Sequence, residues 1–398
     1  MTAARAKEAA TRRIGEIERD VVGLSRRIHS RPELAFEETR AAAWVAEAAQ
    51  AWTGCDPTVG VGGLPTALSA TAGSGDLSVT LCAEYDALPG IGHACGHNVI
   101  AAASAGAFAA LAPIADDLGL QVRLLGTPAE ESGGGKQHLI DAGVFEGTHA
   151  AMMIHPSTRE LLGMNSYASN AVWVEFEGSE AHASISPHMG VNALDAMTVM
   201  LTAIGLARQQ LEPEQQIHGF VREAGVAANI IPGRAAGTWM ARGADLDSLR
   251  RAVGIITRCA EAGALAAGAE LRATVGRHPY ADMRSDLDLR ALYRDNAAAI
   301  GRNPEEHASR GGSTDMGNVS QLVPAIHPMV SLGDYDVSSH TEPFAELAGG
   351  APGDRVALDG ALLLAATVID AATTPSVRQR LLTGRADARE PSGPVAEA

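Results

Sequence analysis

The sequence predicts an α/β fold in which a mixed, largely parallel sheet is sandwiched by helices. Three short, mostly apolar runs indicate strands, at residues 77–83, 120–125 and 149–154. Segments with helical periodicity separate these runs, and strands that alternate with helices are typical of a buried parallel sheet. Polar side chains follow each run, and ligands in such folds collect beyond the carboxyl ends of the strands.

The composition fits a two-domain protein that has no nucleic-acid partner. A chain of 398 residues suits two domains, and 46% hydrophobic residues allow a large buried core. The formal charge of -16 argues against nucleic acid or an anionic membrane surface as a partner. Four cysteines in a chain of this length do not make a disulfide framework, which indicates a reducing compartment.

Two segments are candidates for a targeting signal or a membrane span, the first for its position and the second for its composition, and neither fits. Residues 1–20 are charged and helical and contain no apolar signal core. Residues 99–114 are apolar, but they are too short and too rich in alanine to span a bilayer. We therefore expect a cytoplasmic protein with no membrane partner.

A first domain is predicted to comprise residues 1–168 and 281–384. Helical periodicity covers residues 4–28 and about 37–52, and a proline separates the two segments. Asn98 is in position to cap a long alanine-rich helix after the first predicted strand.

A second domain is predicted as an insertion at residues 169–280. Its pattern is strand, helix, strand, strand, helix, strand, which is the ferredoxin-like α+β unit. These six elements are expected at residues 171–178, 191–210, 217–222, 235–242, 245–267 and 270–277. The tail at residues 385–398 is polar and contains proline, so we predict that it is disordered.

Metal-binding side chains follow all three predicted strands of the first domain. Cys95 and His97 come after the first strand, Glu131 after the second and His155 after the third. Thiolate, imidazole and carboxylate are ligands that divalent transition metals prefer. His340, in a polar loop far along the chain, is a fifth candidate. One thiolate shared between two ions would accommodate a two-metal site.

The neighbours of these residues suggest a hydrolytic site. Glu130, beside Glu131, is placed to take a proton from a metal-activated water. We expect Asp86 to accept a hydrogen bond from the ring of His97. The start of a helix is expected to lower the pKa of the Cys95 thiol. Taken singly, each residue has a simpler interpretation, such as a small core cysteine or a solvated carboxylate, but their joint occurrence at three strand ends favours a metal site.

Five segments together resemble the aminoacylase/carboxypeptidase G-type metallopeptidases. They are residues 29–34, 84–89, 93–98, 128–131 and 339–340. Within that family the sequence is similar to the amidohydrolase branch that holds indole-acetyl-amino-acid and aminobenzoyl-glutamate hydrolases. The resemblance covers essentially residues 15–373. It implies a two-metal catalytic domain, a general base at Glu130, and an inserted lid through which the chain forms a homodimer. The metal ligands that it implies are Cys95, His97, Glu131, His155 and His340.

The resemblance extends to residues that would contact substrate. It implies that His182 stabilises the oxyanion, often from the partner copy of the chain. It also implies that Asn229 and Arg242 hold a substrate carboxylate, with Gly312 and Ser313 nearby. From the residues alone, a surface charge at a strand end is the preferred interpretation of Arg242. Ser313 or Thr314 could instead be the N-cap of a helix.

Two positions depart from the commoner indole-acetyl-amino-acid type of the branch. That type has aspartates where this chain has Glu84 and Asn98. Glu84 and Asn98 resemble the residues at these positions in the aminobenzoyl-glutamate hydrolases and β-alanyl dipeptidases. In relatives outside the branch a histidine ligand stands at the position of Glu84, and the resemblance implies that His97 replaces it.

We therefore expect a metal-dependent amidohydrolase for an N-acyl or N-aroyl amino acid, or a dipeptide, with a free carboxylate. The cofactors would be two divalent ions, either zinc or manganese, cobalt or nickel. Hydrolytic deamination of an aromatic amino acid and non-catalytic binding of a small molecule remain alternatives. A serine hydrolase is disfavoured because no Gly-x-Ser-x-Gly elbow is present. For His93, His138 and His327 we expect supporting or structural roles.

Overall fold

The computed structural model describes residues 1–306 and 311–384. The predicted disordered tail, residues 385–398, lies outside the described residues. The strands are β1 Thr58–Val59, β2 Leu68–Ala72, β3 Leu77–Ala83, β4 Leu120–Gly126, β5 Ala150–Met152, β6 His155–Ser157, β7 Ala168–Glu177, β8 Gln216–Ala224, β9 Arg234–Gly243, β10 Glu270–Val275, β11 Ala325–Ile326 and β12 Met329–Ser331. The helices are α1 Ala3–Glu16, α2 Glu18–His29, α3 Thr39–Thr53, α4 His97–Leu111, α5 Gly135–Asp141, α6 Ala193–Ala207, α7 Leu246–Ala267, α8 Leu287–Ala299, α9 Met316–Leu322, α10 Glu342–Gly349, α11 Ala351–Thr373 and α12 Pro375–Thr383.

The described chain forms two compact units. One unit runs from Met1 to Asn165 and resumes at Met283, and the other runs from Ser166 to Asp282. The insertion predicted at residues 169–280 lies within the second unit.

A six-stranded mixed sheet organises the first unit, in the order β1-β2-β4-β3-β5-β11. Strands β4, β3, β5 and β11 are parallel to one another, whereas β1 and β2 pair antiparallel. The prediction of a mixed, largely parallel sheet is therefore confirmed. Every residue of β3 is buried, which explains why its sequence reads as a nearly continuous apolar run.

Three local predictions differ from the structure. The helix expected over residues 4–28 is two helices, α1 and α2, because the backbone leaves helical geometry at Ile17. Asn98 does not cap α4, which begins after Gly96; its side chain instead donates hydrogen bonds to Ser25 Oγ and the Ala348 carbonyl. The third predicted strand, residues 149–154, is shorter in the structure, where β5 covers only Ala150–Met152; the strand that follows it, β6, begins at His155 and pairs with β12.

Two helices of the first unit are long and apolar enough to cross a membrane. The window over His97–Ile114 is 89% buried inside the fold, and that over Ala351–Thr373 is 67% buried. The expectation that residues 99–114 are too short and too rich in alanine to span a bilayer was therefore wrong, since the helix that contains them meets the requirements of length and composition. Its burial against the sheet and neighbouring helices is typical of a core helix.

The second unit has the predicted order of strand, helix, strand, strand, helix, strand. Its sheet is antiparallel throughout, in the order β10-β7-β9-β8. Alternate residues of β7 face α6 and α7, so that Val172, Val174 and Phe176 are buried while Trp173 is 42% exposed. Because buried and exposed residues alternate along β7, this strand can be recognised in the sequence.

Candidate metal centre

The candidate site follows from the pairing of three parallel strands. Strand β3 lies between β4 and β5, so the loops that leave their carboxyl ends meet at one edge of the sheet. The loop after β3 carries Asp86 and leads to Cys95, the loop after β4 carries Glu130, and His155 follows β5. Residues 45 to 60 positions apart in sequence therefore become neighbours.

Cys95 is the point at which the predicted ligands meet. Its Sγ lies 3.5 Å from His155 Nε2 and 3.5 Å from His340 Nε2. Cys95, His97 and His155 form one group whose ligand atoms all lie within 4.8 Å of one another. Cys95, Glu131 and His340 form a second such group. The structure thus brings all five predicted ligands together, with the thiol common to both groups.

The turn between Cys95 and His97 requires glycine. Gly96 has a φ of 80°, in the left-handed region, and a Cβ there would lie 2.4 Å from Pro156 Cγ. His340, which comes from far along the chain, is tied to the same turn because its backbone N–H donates to the Ala94 carbonyl at 2.8 Å.

Asp86 orients two of the candidate ligands at once. Its Oδ1 lies 2.9 Å from His97 Nδ1, and its Oδ2 accepts the backbone N–H of Glu131 at 2.8 Å. His97 Nε2 is thereby turned toward the centre, 3.7 Å from Glu131 Oε1. Burial opposes a charged imidazole, but the adjacent Asp86 carboxylate raises the pKa of His97 well above its usual value. A cation at Nε2 would replace that proton.

The electrostatics of the other ligands also favour a bound cation. Burial, followed by the charge of Glu131, raises the pKa of the Cys95 thiol. The prediction from the helix start was therefore in the wrong direction, because folding places carboxylates and low polarity around the sulfur. The thiolate form needs a cation beside it. Burial and the charge of His97 lower the pKa of His155 to about 4, which keeps it neutral as ligation requires.

Glu130 occupies a buried position beside the ligands. Its Oε2 lies 3.9 Å from His97 Nε2, and the residue is 7% exposed. Burial and then the carboxylates of Glu84, Glu131 and Asp315 raise its pKa well above the usual value. A carboxylate of raised pKa suits the work of a general base.

Glu38 holds the backbone next to Glu130 and was not predicted from the sequence. Its Oε1 accepts the N–H of Ala129 at 2.8 Å and that of Phe36 at 2.9 Å. Ala129 and Phe36 both have positive φ, 60° and 65°, which is uncommon for residues other than glycine. Nothing local in the sequence links Glu38 to a loop 91 residues away.

A buried ion-pair cluster of Glu84, Lys136 and Asp315 was not predicted either. Lys136 Nζ contacts the Glu84 carboxylate and lies 2.6 Å from Asp315 Oδ1. The only hint in the sequence is that lysine is rare, since Lys136 is one of two in the chain.

The loop at Gly312 and Ser313 leads into this cluster. Gly312 has a φ of 62°, and Ser313 Oγ donates to the Gly312 carbonyl. Thr314 Oγ1 accepts the N–H of Met316, where α9 begins, but the N-cap of this helix is Asp315 and not Ser313 or Thr314. Asp315 then turns inward to Lys136.

In the second unit, the structure groups His182 with Asn229 but not with Arg242. Both His182 and Asn229 are exposed, and the Asn229 carbonyl accepts the N–H of Ala183 at 3.0 Å. His182 pairs with Ile230, just before β9 begins at Arg234. Arg242 lies eight residues farther along that strand, roughly 26 Å away at about 3.3 Å per residue.

The three histidines left unassigned lie close to named neighbours. His93 is buried, with its ring 6.1 Å from that of His29. The ring of His138 lies edge-on to Phe36, at 5.6 Å. His327 is 1% exposed and its ring centre lies 5.5 Å from that of His155. It follows β11, the fourth parallel strand, and so lies at the same edge of the sheet.

The model of the peptidase family M20/M25/M40 matches residues 80–359, which include all five candidate ligands. The chain belongs to this family. An Xaa-Arg dipeptidase of Mus musculus is 37% identical, over 93% of this chain and 90% of that protein. One of the subunits of the p-aminobenzoyl-glutamate hydrolase of Escherichia coli K12 is 31% identical, over 60% and 54%. The fold is similar to that of the Bacillus subtilis YXEP protein, described as a dinuclear metal binding peptidase of family M20, with a TM-score of 0.66, 21% identity and coverage of 89% and 99%.

These relationships confirm the family resemblance carried by the motifs. As a member of family M20/M25/M40 the chain is a metallo-hydrolase that acts on C–N bonds. The alternative of a non-catalytic binder on the same scaffold is therefore set aside.

Proposed function

We propose that this M20 hydrolase cleaves the amide bond of a dipeptide or an N-acyl or N-aroyl amino acid that has a free carboxylate. The observation that carries the proposal is the sharing of Cys95 between two groups of ligand atoms, with Glu130 beside them. This arrangement suits two divalent ions bridged by a thiolate.

The residues present fit such ions. Cys95, His97 and His155 would hold one ion, and Cys95, Glu131 and His340 the other. Among the described residues, the buried atoms His97 Nε2 and Glu131 Oε1 have no hydrogen-bond partner, as expected for atoms that face a cation. Thiolate and imidazole favour zinc, whereas the carboxylates also suit manganese, cobalt or nickel.

The bound ions would supply a water of lowered pKa and polarise the scissile carbonyl. The carboxylate of Glu130 would take a proton from the attacking water and return it to the leaving amine. Asp86 keeps His97 in one tautomer and holds the backbone of Glu131.

A dipeptide with a basic C-terminal residue is the substrate class that we favour. The similarity to the Xaa-Arg dipeptidase extends over almost the whole chain, whereas that to the aminobenzoyl-glutamate hydrolase extends over 60% of it. The His340 side chain is 54% exposed, so this side of the centre faces solvent. The loop that leads to His340 exposes Asp334 and Asp336. These carboxylates and the net charge of -16 would attract a cationic substrate.

We also propose that the second unit acts as a lid and forms a homodimer. Within one copy, His182 and Asn229 lie before β9 begins, whereas Arg242 lies near the carboxyl end of β9. This separation is too large for all three residues to contact one small substrate. The partner copy supplies Asn229 and His182, of which His182 stabilises the oxyanion. Arg242 comes from the chain that holds the metal centre and binds the substrate carboxylate. Gly312 and Ser313 complete the carboxylate site. The exposed side chains of Leu206 and Phe220 offer apolar surface for the contact. Because the thiolate must stay reduced, a cytoplasmic location fits.

The test compares wild-type protein with Glu130→Gln on a panel of substrates. The panel holds Xaa-Arg and Xaa-Lys dipeptides, Xaa-Glu dipeptides, N-acetyl amino acids and p-aminobenzoyl-glutamate. We expect the highest kcat/KM on the basic dipeptides, and a fall of about 10²- to 10⁴-fold in Glu130→Gln with its metal content unchanged.

Three results would contradict the proposal. Wild-type rates in Glu130→Gln would remove the general base. Full activity after chelation would remove the metal mechanism. Release of ammonia from aromatic amino acids, with no turnover on the panel, would instead support a deaminase.

A further inference from the structure

Lys136 is a completely buried cation close to the candidate metal centre. Its side chain is 0% exposed, whereas that of Lys7, the other lysine in the chain, is 34% exposed and pairs with Asp370. The ammonium group contacts the carboxylates of Glu84 and Asp315. The backbone N–H of Lys136 also donates to Asp315, at 2.9 Å.

The partners of Lys136 belong to a group that resembles a cation site. Glu84, Glu130 and Asp315 each place one carboxylate oxygen within 4.8 Å of the others. All three residues are buried. Three buried carboxylates at this spacing repel one another unless a cation lies among them. In this chain that cation is the ammonium of Lys136, which pairs with two of the three.

The cluster borders directly on the proposed two-metal centre. Glu84 uses one carboxylate oxygen for Lys136, and its Oε2 lies 3.6 Å from His97 Nε2. Glu84 Oε2 has no hydrogen-bond partner among the described residues. The third carboxylate of the group is that of Glu130, the proposed general base. Lys136 therefore touches the residues that flank both the base and a candidate ligand.

We propose that Lys136 is a fixed cation that occupies the group of three carboxylates formed by Glu84, Glu130 and Asp315. It thereby positions Glu84 and Asp315 beside Glu130. With the ammonium in place, the centre takes two metal ions and not three. Lys136 acts through its neighbours and touches neither substrate nor metal, so it is a positioning residue. This inference rests on the proposed two-metal function.

The geometry also links Lys136 to the loop that precedes α9. Asp315 is held twice by Lys136, through the side chain and through the backbone. Gly312 and Ser313, the proposed carboxylate contacts, precede Asp315 in the same loop and are separated from it by Thr314. Loss of the ammonium would free Glu84 to turn toward a metal ion and would release this end of the loop. Changes in metal binding and in turnover are therefore both expected.

The first experiment counts metal ions. Wild-type protein, Lys136→Ala and the control Lys7→Ala are produced with Mn²⁺, dialysed against Mn²⁺ and analysed by plasma mass spectrometry. Lys136→Ala opens a space lined by three carboxylates, so we expect it to bind one more ion per chain than wild type. Lys7→Ala should bind the same number as wild type. Addition of Glu84→Gln to Lys136→Ala should abolish the extra ion.

The two proposals fail in different ways. Fewer than two ions in the wild-type protein would contradict the two-metal function. Equal numbers in wild type and a folded Lys136→Ala would overturn the role of Lys136, whatever that number is.

A charge-balanced pair covers the case in which Lys136→Ala does not fold. Lys136→Met with Glu84→Gln removes one charge of each sign and nearly preserves the volume of both side chains. We expect this pair to fold, to bind as many ions as wild type, to lose about 10- to 100-fold in kcat, and to raise KM because Asp315 no longer holds the loop through the ammonium group. An unchanged kcat would overturn the positioning role.

Discussion

The two units of the chain differ in how deeply their candidate functional residues are buried and in how close together these residues lie. In the first unit, the side chains of Asp86 and His97 are fully buried, and every proposed ligand lies near Cys95. In the second unit, His182 and Asn229 are exposed and lie before β9 begins, whereas Arg242 lies near the carboxyl end of β9. A parallel sheet gathers residues at one edge within a single chain, whereas this antiparallel sheet separates them along its length. The first set of residues lies together within one copy, whereas the proposed function takes the second set from two copies of the chain.

Loss of the shared thiol should have the largest effect, because it removes a ligand from both groups at once. We expect Cys95→Ser to retain less than one metal ion per chain and to lose at least about 10³-fold in kcat/KM. Metal content by plasma mass spectrometry and rates on the best substrate of the panel measure this. Cys55→Ser is the matched control, since Cys55 is a partly exposed free thiol outside the ligand groups. Two tightly bound ions in Cys95→Ser would show that Cys95 does not bridge them.

Mixed dimers should reveal which copy supplies each residue of the second unit. His182→Ala and Arg242→Ala should each lose about 10²- to 10³-fold in kcat/KM and keep their metal. If one site takes Arg242 from its own chain and His182 from the partner, a heterodimer of the two variants has one intact site. Half of the dimers in an equal random mixture are heterodimers, so roughly a quarter of the wild-type activity should return.

The control for this experiment mixes variants of two residues that lie close together, before β9 begins. A mixture of His182→Ala with Asn229→Ala should recover nothing, because each site then lacks one of the two. Recovery in that mixture, or none in the first, would contradict the shared site.

Four of the five candidate ligands could be placed together from the sequence because they follow strands of the parallel sheet, whereas His340 lies in a loop after β12, which belongs to a separate two-stranded sheet. Strand periodicity together with the rule for strand ends was enough to place Cys95, Glu131 and His155 at one edge. The partners of Lys136 lie 52 and 179 residues away, and no local pattern carries such pairings. The pKa of Cys95 shows the same limit. The helix start is visible in the sequence, but the burial and the carboxylate that outweigh it exist only after folding.

Glu38 offers a pH-dependent test of how the first unit is held together. Burial raises the pKa of Glu38 to about 7 from an ordinary 4.5. Between these values the folded state binds a proton that the unfolded state has lost, so stability falls as pH rises from 4.5 to 7. Glu38→Gln keeps the oxygen that accepts from Ala129 and removes this titration. We expect the variant to gain up to about 3 kcal/mol over wild type between pH 4.5 and pH 8.

Urea unfolding of the chelated protein at several pH values measures this difference. Parallel pH curves for wild type and Glu38→Gln would show that the carboxyl group is ionised in the fold. Glu38→Ala should also lower kcat, by about tenfold, because it removes the acceptor beside Glu130 and leaves two backbone donors unpaired.

Asn98 should have the smallest effect on turnover, although the sequence marks it as a possible determinant of the substrate. Its side chain is buried and joins α4 to Ser25 of α2 and to Ala348 of α10. We expect Asn98→Ala to lower the free energy of unfolding by about 1–3 kcal/mol and to leave the ranking of substrates unchanged. Ser25→Ala, which removes one of the two acceptors, should have a smaller effect of the same kind. If Asn98→Asp changed the ratio of kcat/KM between basic and acidic dipeptides, Asn98 would carry specificity. Without such a change, substrate specificity would not depend on Asn98. Of the two positions that differ from the commoner relatives, Glu84, which pairs with Lys136, is then the one that lies close enough to the metal centre to affect specificity.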